Sequence, residues 1–186
     1  AALIAEKTQE IAELTADHAL SPSLKSMTAE HNRRAVSQSI IADIPTPYRT
    51  EEGLDLPVNY DRKFHGPVTI RYALANSLNV AAMRTLNAIG GPVPLHSLLG
   101  RVGIETLDQP ATSYGLGLTI GNAEVSLLEL TNAYAALARL GTFKPARMTL
   151  DHERSAPESR MEQIAEPANC SLISDILSDN AARPPA

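Results

Sequence analysis

TIRYALANSLNVAAMRTLNAIGG, residues 69–91, decides how the chain is read. Thr69 is a candidate N-cap, because its hydroxyl can accept from the first free backbone N–H groups of a helix. Ile70, Ala73 and Leu74 then recur at helical spacing and give an inner face. The pattern breaks at Asn76-Ser77-Leu78-Asn79. Beyond it Val80, Met83, Leu86 and Ala88 continue an apolar stripe as far as Gly90-Gly91, a stop signal. The stretch reads as two helices around a polar break. Two amides and a hydroxyl at such a junction have two uses. They can cap the helices, or they can hold a ligand.

Working outward toward the C-terminus, residues 93–102 predict a short helix with Pro94 in its first turn and Gly103 after it. Residues 113–125, SYGLGLTIGNAEV, carry glycines at 115, 117 and 121. Ser126-Leu127-Leu128-Glu129 then matches a capping box. The helix it opens is expected to run to Leu140 and stop at Gly141, with Leu127, Leu130, Tyr134, Leu137 and Ala138 as its buried stripe. Residues 151–167 read as an exposed loop, and SLISDILSDN, residues 171–180, as a last helix. Toward the N-terminus, residues 43–67 contain Pro45, Pro47, Pro57 and Pro67. Each proline biases its predecessor toward extended geometry. The segment reads as an ordered, irregular crossing pinned by Tyr48, Tyr60 and Phe64. Residues 1–20 show Leu3-Ile4, Ile11 and Leu14 at helical spacing, and residues 21–36 have no clean period. No segment sustains a Val/Ile/Thr alternation. The expectation is a mostly α fold with little sheet, divided into 1–42, 43–150 and 151–186.

Composition excludes several functions. The 186 residues are 44% hydrophobic but only 4% aromatic, with no Trp, so the core must be aliphatic. The net charge is −5 and the basic residues are scattered, which argues against nucleic acid as a partner. No apolar run reaches the ~18 residues a membrane helix needs. The opening AALIAEKTQE lacks the basic and apolar regions of a signal peptide. A single cysteine, Cys170, forms no internal disulfide and reads as a small thiol on a helix. His18, His31, His65, His96 and His152 are dispersed, none four residues from another, so no metal site is expected. Gly115-Leu116-Gly117 lacks the third glycine and the basic residue of a phosphate cradle, so no cofactor is expected. No pair of carboxylates is set apart for glycosidase chemistry.

NYDRKFHGPVTIRYALANSLNVAAMRTLNAIG (59–90) followed by YGLGLTIGNAEVSLLELTNAYAALARLG (114–141) resembles the transpeptidase domain of class A penicillin-binding proteins, of the 1C type. The resemblance is detailed over residues 40–150 and returns weakly at 175–186. It rests on two long blocks in the right order, an S-x-N tripeptide, and an E-V-S-L-L-E-L helix. It implies the helical lobe of the serine β-lactamase-like fold, with the sheet largely missing from this chain. In that family S-x-x-K, S-x-N and K-T-G build the site. A serine attacks the D-Ala-D-Ala carbonyl, and a lysine removes its proton, since an alcohol is a poor nucleophile without an adjacent base. By this resemblance Ser77 is a relay hydroxyl and Asn79 a substrate-holding amide. The implied partners are the peptidoglycan stem peptide and β-lactams. The implied location is outside the cytoplasmic membrane, in a protein anchored there.

The departures from the family pattern are as informative. Lys25, in Ser21-Pro22-Ser23-Leu24-Lys25, matches the family lysine, but Pro22 stands where the nucleophile belongs. No K-T-G occurs in the 186 residues. The chain is therefore expected to be a fragment of a D,D-transpeptidase that is inactive in isolation. The alternative is a degenerate, non-catalytic helical module for binding or scaffolding.

Overall fold

A computed structural model describes residues 36–50, 53–146 and 161–183. The chain forms two compact units, residues 1–39 and 40–186. In the first, the described residues 36–39 begin with a helical turn. Lys25, the helix expected over residues 1–20 and residues 151–160 of the loop expected over 151–167 lie outside the described residues; the described end of that loop holds a short strand, Glu162–Gln163.

The second unit opens with four short strands, continues through a run of helices, and ends with a last pair of short strands and a helix. Strand β1 (Ile40–Asp43) is followed by the hairpin of β2 (Tyr48–Thr50) and β3 (Gly53–Asp55). Strand β4 (Gly66–Thr69) returns antiparallel to β1, with Asp43 opposite Gly66 and Ile40 opposite Thr69. Then come α1 (Ile70–Ala75), α2 (Asn79–Ala88) and α3 (Pro92–Arg101). A single turn, α4 (Ala111–Tyr114), runs into a 3-10 helix at Gly115–Ile120. Helix α5 (Leu127–Ala138) leads to β5 (Thr142–Phe143), which pairs with β6 (Glu162–Gln163). Helix α6 (Pro167–Ser178) and a 3-10 turn (Asn180–Ala182) close the described chain. The described residues thus form helices with three two-stranded ribbons. Four-residue strands are too short to leave a period-2 signature, which is why β1 and β4 are not legible as strands.

Local signals set most helix boundaries. Thr69 Oγ1 accepts from the Tyr72 N–H and caps α1. Ser126 and Glu129 form a reciprocal capping box on α5. Helices α2 and α3 end in glycines of positive φ, Gly90 and Gly103. Gly141 is required twice over. Its φ is +90°, and a Cβ there would meet the Ala165 carbonyl oxygen at 2.1 Å.

The core is aliphatic. Helix α2 is its centre, burying Val80, Ala81, Met83 and Leu86. Ala73, Leu78 and Ala81 form one cluster with Ile41, Val68 and Tyr72 against it. Helix α6 buries Cys170 and Ile176 and is tied to α1 by Arg71, which donates to Asp175 and, at 3.0 Å, to Asp179. Burial pushes the Cys170 thiol up from its ordinary pKa, as for a packed rather than a reactive cysteine.

Two packing expectations fail. In α5 the buried residue is Ala136, while Leu127 is 81% and Tyr134 62% exposed. This helix is apolar on most of its circumference, so periodicity cannot choose the inward face. The choice falls to Glu129, whose carboxylate reaches the 105–106 loop and turns that side of the helix inward. Tyr60 is 98% exposed and pins nothing. The crossing segment is held instead by buried Pro57 and Asn59, with apolar Leu54, Leu56, Val58 and Tyr60 on its outer side.

Candidate active-site motif at residues 76–79

The break between α1 and α2 is made by the backbone. The Leu78 N–H donates to the Ala73 carbonyl at 3.0 Å, and the Ser77 N–H to the Leu74 carbonyl at 3.1 Å. These are the two bonds of a Schellman ending, which places one residue in the left-handed region. That residue is Ser77, with φ +53°. At the equivalent place the chain uses Gly90 after α2, Gly103 after α3 and Leu140, at φ +56°, after α5. A serine there costs strain that a glycine avoids, about 1–2 kcal/mol. The hydroxyl makes no contribution to the cap, and Ser77 is exposed. Leu140 tolerates the same conformation, so what sets Ser77 apart is an exposed hydroxyl that the ending does not use.

The neighbours divide the remaining work. Asn76 Nδ2 donates at 2.8 Å to the Tyr72 carbonyl and at 2.8 Å to the Ala182 carbonyl. It therefore finishes α1 and ties the 3-10 turn at the C-terminal end to this junction. Leu78 is 5% exposed and packs beneath. Asn79 is half-buried at the first position of α2, and its Nδ2 donates to the Val58 carbonyl at 3.1 Å. A carbonyl only accepts, so this contact fixes which end of the amide faces Val58. The N-cap residue Leu78 makes no side-chain cap bond.

The missing cap comes from elsewhere in the sequence. Asn59 Oδ1 accepts from the Val80 N–H at 3.2 Å. Asn59 Nδ2 donates to Asp43 Oδ2 and to the Lys63 carbonyl, each at 2.8 Å. Asp43 Oδ2 also accepts from the His65 N–H at 2.8 Å. Asp43 is 0% and Asn59 2% exposed. Neither residue is identifiable as part of this junction from the sequence. Asn59 and Val80 are 21 positions apart, and cap signals are read over three or four. Arg84, on α2, donates to Thr46 Oγ1 at 2.7 Å and adds a second tie to the crossing segment.

The second resembling block is organised around Glu129. Its carboxylate accepts from the Glu105 N–H at 2.9 Å, from Thr106 Oγ1 at 2.9 Å and from Ser126. These donors hold its pKa down to about 2, the Glu105 N–H contributing most. Among the described residues no group of three or more His, Cys, Asp or Glu side chains is disposed to hold a metal ion. Among them, too, no helix is long and apolar enough to cross a membrane.

No family model matches the chain. Curated relatives do. Penicillin-binding protein 1A of Aquifex aeolicus is 43% identical over 96 residues, covering 51% of this chain and 12% of that protein. Penicillin-binding protein 1C of Escherichia coli is 34% identical over 113 residues, covering 61% and 14%. Penicillin-binding protein 1A of Rickettsia bellii is 32% identical over 126 residues, covering 67% and 15%. The chain thus spans only about an eighth to a seventh of the length of these relatives. Among solved structures, penicillin-binding protein PonA1 of Mycobacterium tuberculosis superposes with a TM-score of 0.57 at 17% identity, covering 80% of this chain and 42% of that one. Penicillin-binding protein 1A of Haemophilus influenzae gives 0.51 at 23% identity, covering 63% and 18%. Over the part it shares with these proteins, the chain belongs to the class A penicillin-binding proteins.

Proposed function

We propose that residues 40–183 form the S-x-N corner of a peptidoglycan D,D-transpeptidase, in which Ser77 presents a relay hydroxyl and Asn79 a substrate-holding amide. The observation that carries this is the S-x-N tripeptide at an exposed break between α1 and α2, whose serine keeps a left-handed backbone while its hydroxyl stays out of the ending. A glycine would end α1 with less strain, and the serine hydroxyl takes no part in the ending. In the proposed chemistry a nucleophilic serine attacks the D-Ala-D-Ala carbonyl. The bond to the terminal D-Ala breaks, and the departing amine takes a proton through the Ser77 hydroxyl. Asn79 holds the peptide backbone by hydrogen bonds. The position of the family lysine falls to Lys25, and the nucleophile and K-T-G have no counterpart in the 186 residues. The isolated chain is therefore inactive, with stem peptide and β-lactams as ligands of the longer assembly, outside the cytoplasmic membrane.

The test is to build residues 40–183 into a full-length class A relative and measure acylation by a fluorescent penicillin. Ser77→Ala is expected to lower the acylation rate by about 10²-fold or more, the usual scale for a positioned proton carrier. An unchanged rate in a folded protein would refute the assignment. The reading of a non-catalytic binding module draws on the same two departures, Pro22 in the nucleophile's place and no K-T-G in the 186 residues.

A further inference from the structure

We propose that Asn59 is a positioning residue for the S-x-N motif, set in place by the buried carboxylate of Asp43. The inference rests on the reading of Ser77-Leu78-Asn79 given above. Asn59 spends its amide on three partners in three elements. It accepts from Val80 on α2, donates to Asp43 at the end of β1, and donates to the Lys63 carbonyl in its own loop. All three identify its orientation uniquely, since two partners only accept and the third only donates. Its backbone neighbour is Val58, whose carbonyl receives Asn79 Nδ2. Fixing Asn59 therefore fixes two things at once. It sets the first turn of α2, where Asn79 resides, and it sets the acceptor that orients the Asn79 amide.

Asp43 determines which way Asn59 faces. It is fully buried, and Asn59 Nδ2 and the His65 N–H meet on one of its oxygens. The His65 bond also closes the 59–65 loop onto β1. The loop is internally tight: the Arg62 N–H donates to the Asn59 carbonyl, and the Lys63 N–H to Asp61 Oδ1. The result is a rigid strut from β1 to the S-x-N junction. A motif that must hold a peptide backbone within a fraction of an ångström needs support of this kind, because catalytic geometry is lost with small displacements.

The test uses the 186-residue chain and NMR of the Asn79 side-chain amide, assigned by its loss in Asn79→Ala. In folded Asn59→Ala and Asp43→Ala the Asn79 amide resonances are expected to move to the positions of a solvated amide. In Asp43→Asn they are expected to stay, because a carboxamide oxygen still accepts from Asn59 and His65. Backbone resonances of Ala136 and Ile176, on α5 and α6, serve as controls and should hold in all three. An Asn79 amide that does not move in folded Asn59→Ala overturns the proposal. So does an equal movement in Asp43→Asn. If both alanine variants fail to fold, the original chain compared with Asn79→Ala still decides. Asn79→Ala must then shift the Val58 carbonyl carbon, and the Val80 amide must exchange slowly; absence of either sinks the proposal. None of these arms depends on acylation. A normal acylation rate in Ser77→Ala would overturn the functional reading and leave the strut standing, and the reverse pair of results would do the opposite.

Discussion

Replacing Ser77 by glycine separates helix punctuation from chemistry. Ser77 holds φ +53° at the end of α1. For a residue with a Cβ this conformation costs about 1–2 kcal/mol. Glycine removes that cost but loses more chain entropy on folding, about 0.5–1 kcal/mol. The balance lies between about zero and +1.5 kcal/mol in favour of Ser77→Gly, taking the extremes of the two ranges. For a chain of this size that is a rise in Tm of up to roughly 3–6 °C. Ser77→Ala keeps the strain and removes an exposed hydroxyl, so it should stay within about 0.5 kcal/mol of the original. Thermal and urea unfolding of the 186-residue chain measures both. If the hydroxyl caps a helix instead, Ser77→Ala loses about 0.5–2 kcal/mol. That loss, or a clear destabilisation by Ser77→Gly, would refute the reasoning. The stabilising glycine should at the same time abolish the relay in an acylating protein, as expected where strain is kept for function.

Further outcomes follow from the same contacts. Ser126→Ala should cost about 1 kcal/mol by urea unfolding, because it removes one half of the capping box. Gly141→Ala should cost at least ~2 kcal/mol, since it adds positive-φ strain to an overlap with the Ala165 carbonyl. Glu129 is held to a pKa of about 2, below its ordinary 4.5, so its contribution to stability is complete above about 4.5 and is lost as pH falls toward 2. A carboxyl-carbon NMR titration should place the Glu129 midpoint near 2, and a midpoint near 4.5 would show that the Glu105 and Thr106 bonds do not form in solution. Intact-mass spectrometry after incubation with penicillin should show no adduct on the 186-residue chain, and a stoichiometric mass increase would overturn the claim that it is inactive alone.

The parts of this fold that were legible in the sequence are those written within one helical turn. Thr69, Ser126-Glu129 and Gly103 act over three or four residues, and each is found where its spacing predicts. Side-chain direction was less legible. Tyr60 is expected to pin the crossing segment, yet it points outward with Leu54, Leu56 and Val58, and Pro57 and Asn59 are the buried ones. The hydrogen-bonding demand of α2 and Asp43 outweighs the apolar pattern there, because an unmet buried donor or charge costs more than one exposed aliphatic group. At the candidate site, Ser77-Leu78-Asn79 was visible as a polar break. Its division of labour was not, since it depends on a backbone ending and on Asn59, far off in the chain.

The central claim is that Asn79 serves a ligand rather than its helix. Asn79→Ala, made in a full-length class A relative carrying residues 40–183, tests it when melting temperature and penicillin acylation rate are measured on the same sample. Among the described residues the side-chain bond that is lost is the exposed one to the Val58 carbonyl, so stability should fall by no more than about 1 kcal/mol. Acylation should fall by about 10²-fold, the scale of losing one preorganised hydrogen-bonding group. A protein that melts well below the original yet acylates at the normal rate would contradict the account.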